Sequence, residues 1–313
     1  MTLVSVIIVT WNNADEIAAC LESVEAQSHR PLEVIVIDNA SDDGTAEVVA
    51  KAFPHVQVCR NEHNGGFSRG CNQGIGLATG DFLLFLNPDA RLAPSYVARL
   101  LEGLRADPSV GSAGGKFYLS AADPKRLDST GIRLGKARWA PYDRGHGQVD
   151  NGQYNHQEHV FGITAAAALY RRQALEECRV DGEVFDEDFF AYYEDADLAW
   201  RAQLLGWRAL YVPEAVVYHS RKGPRAHSSR VEVLANRNRY LLFLKNEQRS
   251  SVFTHLGSMV AYELGRCAKR LVTRPALLLA IPLALVLVPR MWRKRRATHQ
   301  QALVPPGYIK QFY

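Results

Sequence analysis

The chain has 313 residues, 47% hydrophobic and 22% charged, with 23 Gly and 14 Pro; this excludes a disordered chain, a collagen and a small disulfide scaffold. The length suits one large α/β domain with an appendage, or two modest domains. The formal charge of +4 is uneven: from Arg249 onward there are 11 Lys or Arg against one acid, Glu263, a net +10, while the preceding residues carry 26 basic and 32 acidic side chains. An acidic body with a basic tail is unlike a nucleic-acid binder, whose charge spreads over its folded domain.

Val4–Val9 is a nearly continuous β-branched run, as expected of a strand covered on both faces. No basic segment precedes it and no cleavage site follows, so no secretory signal peptide is expected. Asn12 or Asn13 then caps a helix through about Glu25, and Leu32–Asp38 forms a second buried strand. Asp42-Asp43-Gly44 breaks the chain before a helix over 45–52. A short strand near 56–59, a Gly-rich turn, a helix over 68–78 and a strand over 81–86 complete the first third. Such alternation predicts a mostly parallel sheet built by right-handed crossovers, with ligands beyond the carboxyl ends of its strands. Thr10, Asp38 and Asn87–Asp89 all fall at those ends. Neither GxGxxG after the first strand nor GxxxxGK[ST] is present, which argues against a Rossmann dehydrogenase and a P-loop enzyme.

The segment over 121–159, rich in Gly, Asp, Arg and Tyr with little periodicity, reads as a long loop. Phe161–Ala168 is a run of mainly small residues. Phe185–Asp195 mixes acids with aromatics, the pairing that grips sugar hydroxyls and apolar sugar faces, and helical spacing then begins with Leu198, Ala202 and Leu205 inward. Asp197 and Arg201 stand four apart in the acid-first order that also makes a plain helix pair. His219 ends a strand over 215–218, and His227 lies close to it in sequence. Pro275–Pro289 is apolar but only 15 residues long, short of the roughly 20 that a spanning helix needs. With Arg270, Arg274 and the cluster 290–296 beside it, this stretch is expected at an anionic membrane interface, with a buried core helix as the alternative. Five scattered cysteines, Cys20, Cys59, Cys71, Cys178 and Cys267, without CxxC spacing, fit reduced thiols in the cytoplasm.

Five segments together carry a resemblance. Ser5–Asn12, Val36–Thr45, Asn64–Asn72, Leu86-Asn87-Pro88-Asp89 and Glu194–Arg201 resemble, in that order, the motifs of family 2 glycosyltransferases of the GT-A fold. The likeness covers roughly 3–219 and looks nearest to bacterial rhamnosyltransferases using dTDP-rhamnose. It implies a GT-A catalytic domain over 1–248, with a nucleotide-binding half (1–115) and an acceptor half (116–248), followed by a membrane-associating helical tail (249–313). It implies a nucleotide-diphosphate sugar (dTDP or UDP) held by Thr10, Asn12, Asp38, Asn64, Gly66, Arg69, Asn87 and Asp89, with Asp38 facing the N3–H of a pyrimidine. Leu86–Asp89 resembles the family's DxD metal motif with Asn first, so Asp89 and His219 are the expected ligands of Mg²⁺ or Mn²⁺. Asp195 matches the general base and Glu194 its helper, with Tyr193, Asp197 and Arg201 at a saccharide or polyprenyl-linked acceptor. The implied reaction is inverting sugar transfer in cell-surface polysaccharide synthesis, at the inner face of the cell membrane. Alternatives are a UDP-hexose or UDP-galactofuranose transferase of the same fold, a non-catalytic nucleotide-sugar binder, and a glycosidase, which also uses paired carboxylates.

Overall fold

A computed structural model describes residues 2–120, 125–135, 140–221, 229–247 and 249–313. The first third follows the alternation of the sequence: β1 (Val4–Thr10), α1 (Ala14–Glu25), β2 (Leu32–Asp38), α2 (Thr45–Ala52), β3 (Gln57–Arg60), α3 (Phe67–Leu77) and β4 (Phe82–Leu86). β1 pairs in parallel with both β2 and β4, and β2 with β3. In that register Thr10 lies beside Asp38 and Ile8 beside Leu86, so the chain leaves β1, β2 and β4 on one edge of the sheet. Asn13 caps α1 through its carbonyl rather than its side chain; the next loop supplies the remaining caps. The Asn13 amide donates to Thr45 Oγ1 and the Ala14 amide to an Asp43 carboxylate oxygen, both at 2.9 Å. The sequence Asp42-Asp43-Gly44-Thr45 thus caps the start of α1 while opening α2.

The remainder is β5 (Ala90–Leu92), α4 (Tyr96–Ala106), β6 (Val110–Tyr118), β7 (Leu127–Ser129), β8 (Ile132–Gly135), β9 (Ala140–Asp143), β10 (Glu158–Val160), β11 (Ala167–Arg171), α5 (Arg172–Glu177), α6 (Glu194–Leu204), β12 (Arg208–His219), α7 (Ser229–Asn246), α8 (Arg249–Thr273) and α9 (Ala280–Gln300). The main sheet runs β10-β12-β6-β11-β4-β1-β2-β3, with β5 on β12 and β7 on β6. Its second half is mixed: β11 runs antiparallel to β4 and β6, whereas β12 lies parallel to β6. The segment expected to be one long loop instead carries β7, the β8–β9 hairpin and β10 among its described residues. These strands are three or four residues each, too short to show a period.

Hydrophobic layers cover both sheet faces. Val6, Ile8 and Leu84 face α1 and α4, whereas Ile7, Val9 and Phe85 face α3 and α6. A Cβ on Gly74 of α3 would lie 2.3 Å from Ile7, so glycine is what lets that helix lie flat on β1. A third cluster joins Trp200 of α6 to Leu241, Leu242 and Phe243 of α7 and Met291 of α9. The end of the chain thus packs on the body. Of the cations expected at lipid headgroups, Lys294 is buried against Glu183, Asp186 and Asp188, whereas Arg290 and Arg293 stay exposed while pairing with Asp188 and Asp181. Leu279, Leu283, Leu285 and Val286 nevertheless remain exposed on the apolar stretch. Pro275–Gln300, at 26 residues, is long and apolar enough to cross a membrane by length and composition alone.

Candidate active site

The carboxyl edge of the sheet opens into two adjoining cavities of about 450 and 460 Å³. They share Phe67, Asn87, Ala191, Tyr192, His219 and Arg221. The first, bounded by the β8–β9 hairpin, the residues before β11 and the start of α6, contains Tyr193, Glu194 and Asp195. The second, under the ends of β1 and β4, contains Thr10, Asn64, Gly66, Asn87 and Asp89.

In the second chamber, the Asn64 side chain accepts from the Gly66 amide at 2.9 Å, and Gly66 takes φ 89°. A Cβ there would lie 2.6 Å from Phe190, so this turn closes against the acceptor-side segment only with glycine. Asp89 and His219 meet across the β5–β12 pairing: His219 Nε2 lies 3.3 Å from Asp89 Oδ1 and 3.3 Å from the Asn87 amide nitrogen. On its other side His219 Nδ1 lies 2.8 Å from Asp128, a buried carboxylate that also takes Arg221 Nε at 2.6 Å. Burial opposes a charge on His219, but hydrogen bonds to Asp128 and Asp89 outweigh it and hold its pKa at about 9. Once its Nε2 proton is displaced, a histidine oriented by a carboxylate behind it and set beside a second carboxylate is a donor arrangement that suits a divalent cation. No group of three or more His, Cys, Asp or Glu able to hold a metal occurs among the described residues. Two protein ligands leave the other positions to phosphate oxygens and water, as hard cations at phosphate sites prefer.

In the first chamber, Asp195 sits in the first turn of α6, its carboxylate accepting from the Ala196 amide at 2.7 Å and the Ala165 amide at 3.3 Å. Burial, with the charge of Asp143, raises its pKa to about 6 despite those hydrogen bonds. Glu194 is more deeply buried and is pushed to about 8 by burial and by Asp195. Its Oε2 has no hydrogen-bond partner among the described residues. Both carboxyls are pushed upward, the more deeply buried Glu194 further than Asp195.

Several expected residues lie elsewhere. Asp38 is fully buried; it accepts from the Ser41 hydroxyl and amide and has Arg60 at 3.5 Å, so its carboxylate secures the following turn and does not line either cavity. Asn12 bridges two loops, donating to Ser41 and accepting from the Asp42 amide, and Arg69 is exposed outside both chambers. Asp197 and Arg201 cannot touch an acceptor: both are buried, paired to each other at 2.8 Å, and bound further to Lys245, Asn246 and the carbonyl of Val184. His227 is outside the described residues.

Other contributors were not anticipated. Asp128, Asp143 and Arg221 form an ionic chain along the shared wall, Arg221 reaching Asp143 at 2.6 Å. Asn238 of α7 directs its amide nitrogen at the carbonyls of Phe189, Ala191 and Tyr192, at 2.7, 2.9 and 2.8 Å. It clamps a segment in which Phe190, Tyr192 and Tyr193 all have positive φ, immediately before the acids of α6. Asn236 and Asn238, poor helix formers inside a helix, were the available signal.

Residues 5–179 match the family model described as glycosyl transferase family 2. An N-acetylglucosaminyl-diphospho-decaprenol L-rhamnosyltransferase of Mycobacterium tuberculosis is 28% identical over 245 residues, 72% of this chain and 76% of that protein. Succinoglycan biosynthesis protein ExoO of Rhizobium meliloti is 30% identical over 225 residues, 70% of this chain and 61% of its own length. Among solved structures, the mannosyltransferase PcManGT of Pyrobaculum calidifontis, in complex with GDP-Man and Mn²⁺, superposes with a TM-score of 0.56 at 20% identity, over 95% of this chain and 85% of that one. GalNAc-T7 with UDP, GalNAc and Mn²⁺ gives 0.62 at 15% identity, over 82% of this chain and half of its own. A sheet whose carboxyl edge brings together Asp89, His219 and Asp195, and a family match over more than half the sequence, lead to one assignment: this chain belongs to glycosyl transferase family 2 and is a glycosyltransferase of the GT-A fold.

Proposed function

We propose that the protein is an inverting sugar transferase that moves rhamnose from dTDP-rhamnose to a lipid-linked saccharide, at the cytoplasmic face of a membrane, in cell-surface polysaccharide synthesis. The observation that carries this reading is the adjoining pair of chambers, with Asp89 and His219 in one and Asp195 in the other. Donor occupies the chamber under β1 and β4, against Thr10, Asn64, Gly66 and Asn87. Asp89 and His219 would hold Mg²⁺ or Mn²⁺ there, and the cation when bound supplies positive charge against the diphosphate. Asp195, ionised at neutral pH, takes the proton of the acceptor hydroxyl. That oxygen bonds to the anomeric carbon from the face opposite the leaving group, the carbon–phosphate oxygen bond breaks, and its electron pair leaves with the diphosphate, inverting the centre. Neutral Glu194 donates a hydrogen bond to orient acceptor or base.

The acceptor in the mycobacterial relative's name, an N-acetylglucosaminyl-diphospho-decaprenol, and the exposed aliphatic side chains of the C-terminal helices support a lipid-linked acceptor met at the membrane surface. A UDP-hexose or UDP-galactofuranose is the competing donor, because nothing lining the donor chamber is specific for a thymine methyl group. The test is a thermal-shift screen of dTDP- and UDP-sugars with and without Mg²⁺ or Mn²⁺, followed by Asp195→Asn. The expected outcome is a metal-dependent rise in melting temperature with the true donor, retained by the variant while transfer is lost. Unchanged turnover in Asp195→Asn would remove the assigned base.

A further inference from the structure

α7 and α8 run antiparallel, and the described contacts between them are long polar side chains rather than apolar packing. At the centre of this seam are three guanidinium groups. Arg239 pairs with Glu263; Arg266 reaches Glu263 at 2.8 Å, the Tyr240 hydroxyl at 2.6 Å and Asn236 at 3.0 Å; Arg270 donates to Asn236. Among the described residues Glu263 pairs with Arg239 and Arg266 and is itself shared with the Tyr240 hydroxyl. Burial, with the charges of Arg266 and Arg239, lowers the pKa of Arg270, whereas Tyr240 and Glu263 outweigh burial and raise that of Arg266. Like charges gathered in a half-buried seam are destabilising unless an anion offsets them.

The seam borders the acceptor chamber. Ala235 lines that chamber, and the next residue, Asn236, holds Arg266 and Arg270. Tyr193 lines it too, its phenol raised by burial while Arg239 and Arg266 act to lower it. Along α8, where each residue advances about 100°, Val260, Leu264 and Leu271 fall on one stripe, and all three are exposed. Glu263, Arg266 and Arg270 lie on the adjacent face, turned toward α7.

We infer that Arg239, Arg266 and Arg270 form the subsite for the diphosphate of an isoprenoid-diphosphate-linked acceptor, whose hydrocarbon chain runs along the Val260–Leu264–Leu271 stripe while its sugar enters the chamber of Asp195. This rests on the lipid-linked acceptor proposed above. Guanidinium forks match phosphate oxygens in charge and geometry. The stripe gives the chain an apolar path that begins where the charge ends.

The test uses the full-length protein with Mg²⁺ and saturating nucleoside diphosphate, so that the donor chamber is filled, and titrates farnesyl diphosphate and farnesol by calorimetry. Wild type is expected to bind the diphosphate and to bind farnesol far more weakly. Arg270→Gln is expected to weaken farnesyl diphosphate roughly tenfold, the loss of one charge-assisted contact, and Arg266→Gln by more. Arg274→Gln, which removes an exposed pair with Glu232 at the far end of the seam, is expected to stay within about twofold, below 0.5 kcal/mol. If Arg266→Gln proves misfolded by circular dichroism, Arg270→Gln alone decides, since its side chain is the least enclosed of the three. Three outcomes overturn the inference: no binding to wild type, equal binding by Arg270→Gln, or a variant that loses only phosphatidylglycerol vesicles and keeps farnesyl diphosphate. Binding as expected without transfer to a farnesyl-diphosphate-linked sugar would instead sink the acceptor reading and leave the subsite standing.

Discussion

Replacing Asn238 by alanine removes the clamp on the segment that leads into Glu194 and Asp195. Its amide nitrogen carries two protons and faces three carbonyls; that of Phe189 keeps the Ala191 amide and Arg237, whereas those of Ala191 and Tyr192 lose this donor. At about 1–3 kcal/mol for each carbonyl that loses its donor, two of them cost roughly 2–6 kcal/mol before the segment relaxes. Alanine's better helix propensity returns about 0.5 kcal/mol. Urea denaturation followed by circular dichroism measures the sum, with an unchanged slope showing that the unfolded state is unaffected. The same variant separates positioning from stability. Phe190, Tyr192 and Tyr193 sit in a region costing roughly 1 kcal/mol or more each, and without the clamp they relax out of it. kcat should therefore fall by more than the fraction unfolded explains, roughly ten- to a hundredfold. Asn238→Asp keeps the shape but offers only acceptors, so it should do no better than alanine. An alanine variant within about 0.5 kcal/mol of wild type, or an aspartate variant with full kcat, would refute the clamp.

Two further perturbations follow from the charges. kcat/KM should rise with pH through about 6 as Asp195 ionises, and Asp143→Asn, which removes the like charge that helps burial raise that pKa, should move this limb to lower pH; a limb that stays put or moves upward counts against Asp195 as base. Lys294→Met leaves Glu183, Asp186 and Asp188 without their shared cation and should cost roughly 3–5 kcal/mol. Because Lys245 and Lys294 outweigh burial and depress Asp186, its contribution is present above the unfolded value near 3.8 and lost as pH falls below it. The wild type should therefore lose stability on acidification in that range, and the variant less; parallel pH–stability curves would contradict the pairing.

Most of the nucleotide half is visible in the residues, because strands buried on both faces read as unbroken Val/Ile/Leu runs and DDG- or NGG-type turns punctuate them. Thr10, Asn64, Gly66, Asn87, Asp89 and Asp195 all reach the cleft. The misplacements share one cause: side-chain direction. Asp38 stands at a strand end but turns to Ser41, and Asp197, two residues beyond Asp195, is carried about 200° around α6 into the core. Asp128 and Asp143 went unrecognised because strands of three or four residues have no period, and Asn238 because its partners lie some 46–49 residues away.

The ionic contacts linking Asp181–Asp188 to Lys245, Arg290, Arg293 and Lys294 make the stretch before α6 and the helices α7 and α9 one matched set. A hybrid that joins this chain's first 179 residues to another transferase's C-terminal portion keeps β1–β11 but takes β12, His219 and the foundation beneath Asp195 from elsewhere. Interchangeable parts among such enzymes are therefore bounded not by the matched domain but by this interlock, and exchanges that carry both partners of it together are the ones that should remain productive.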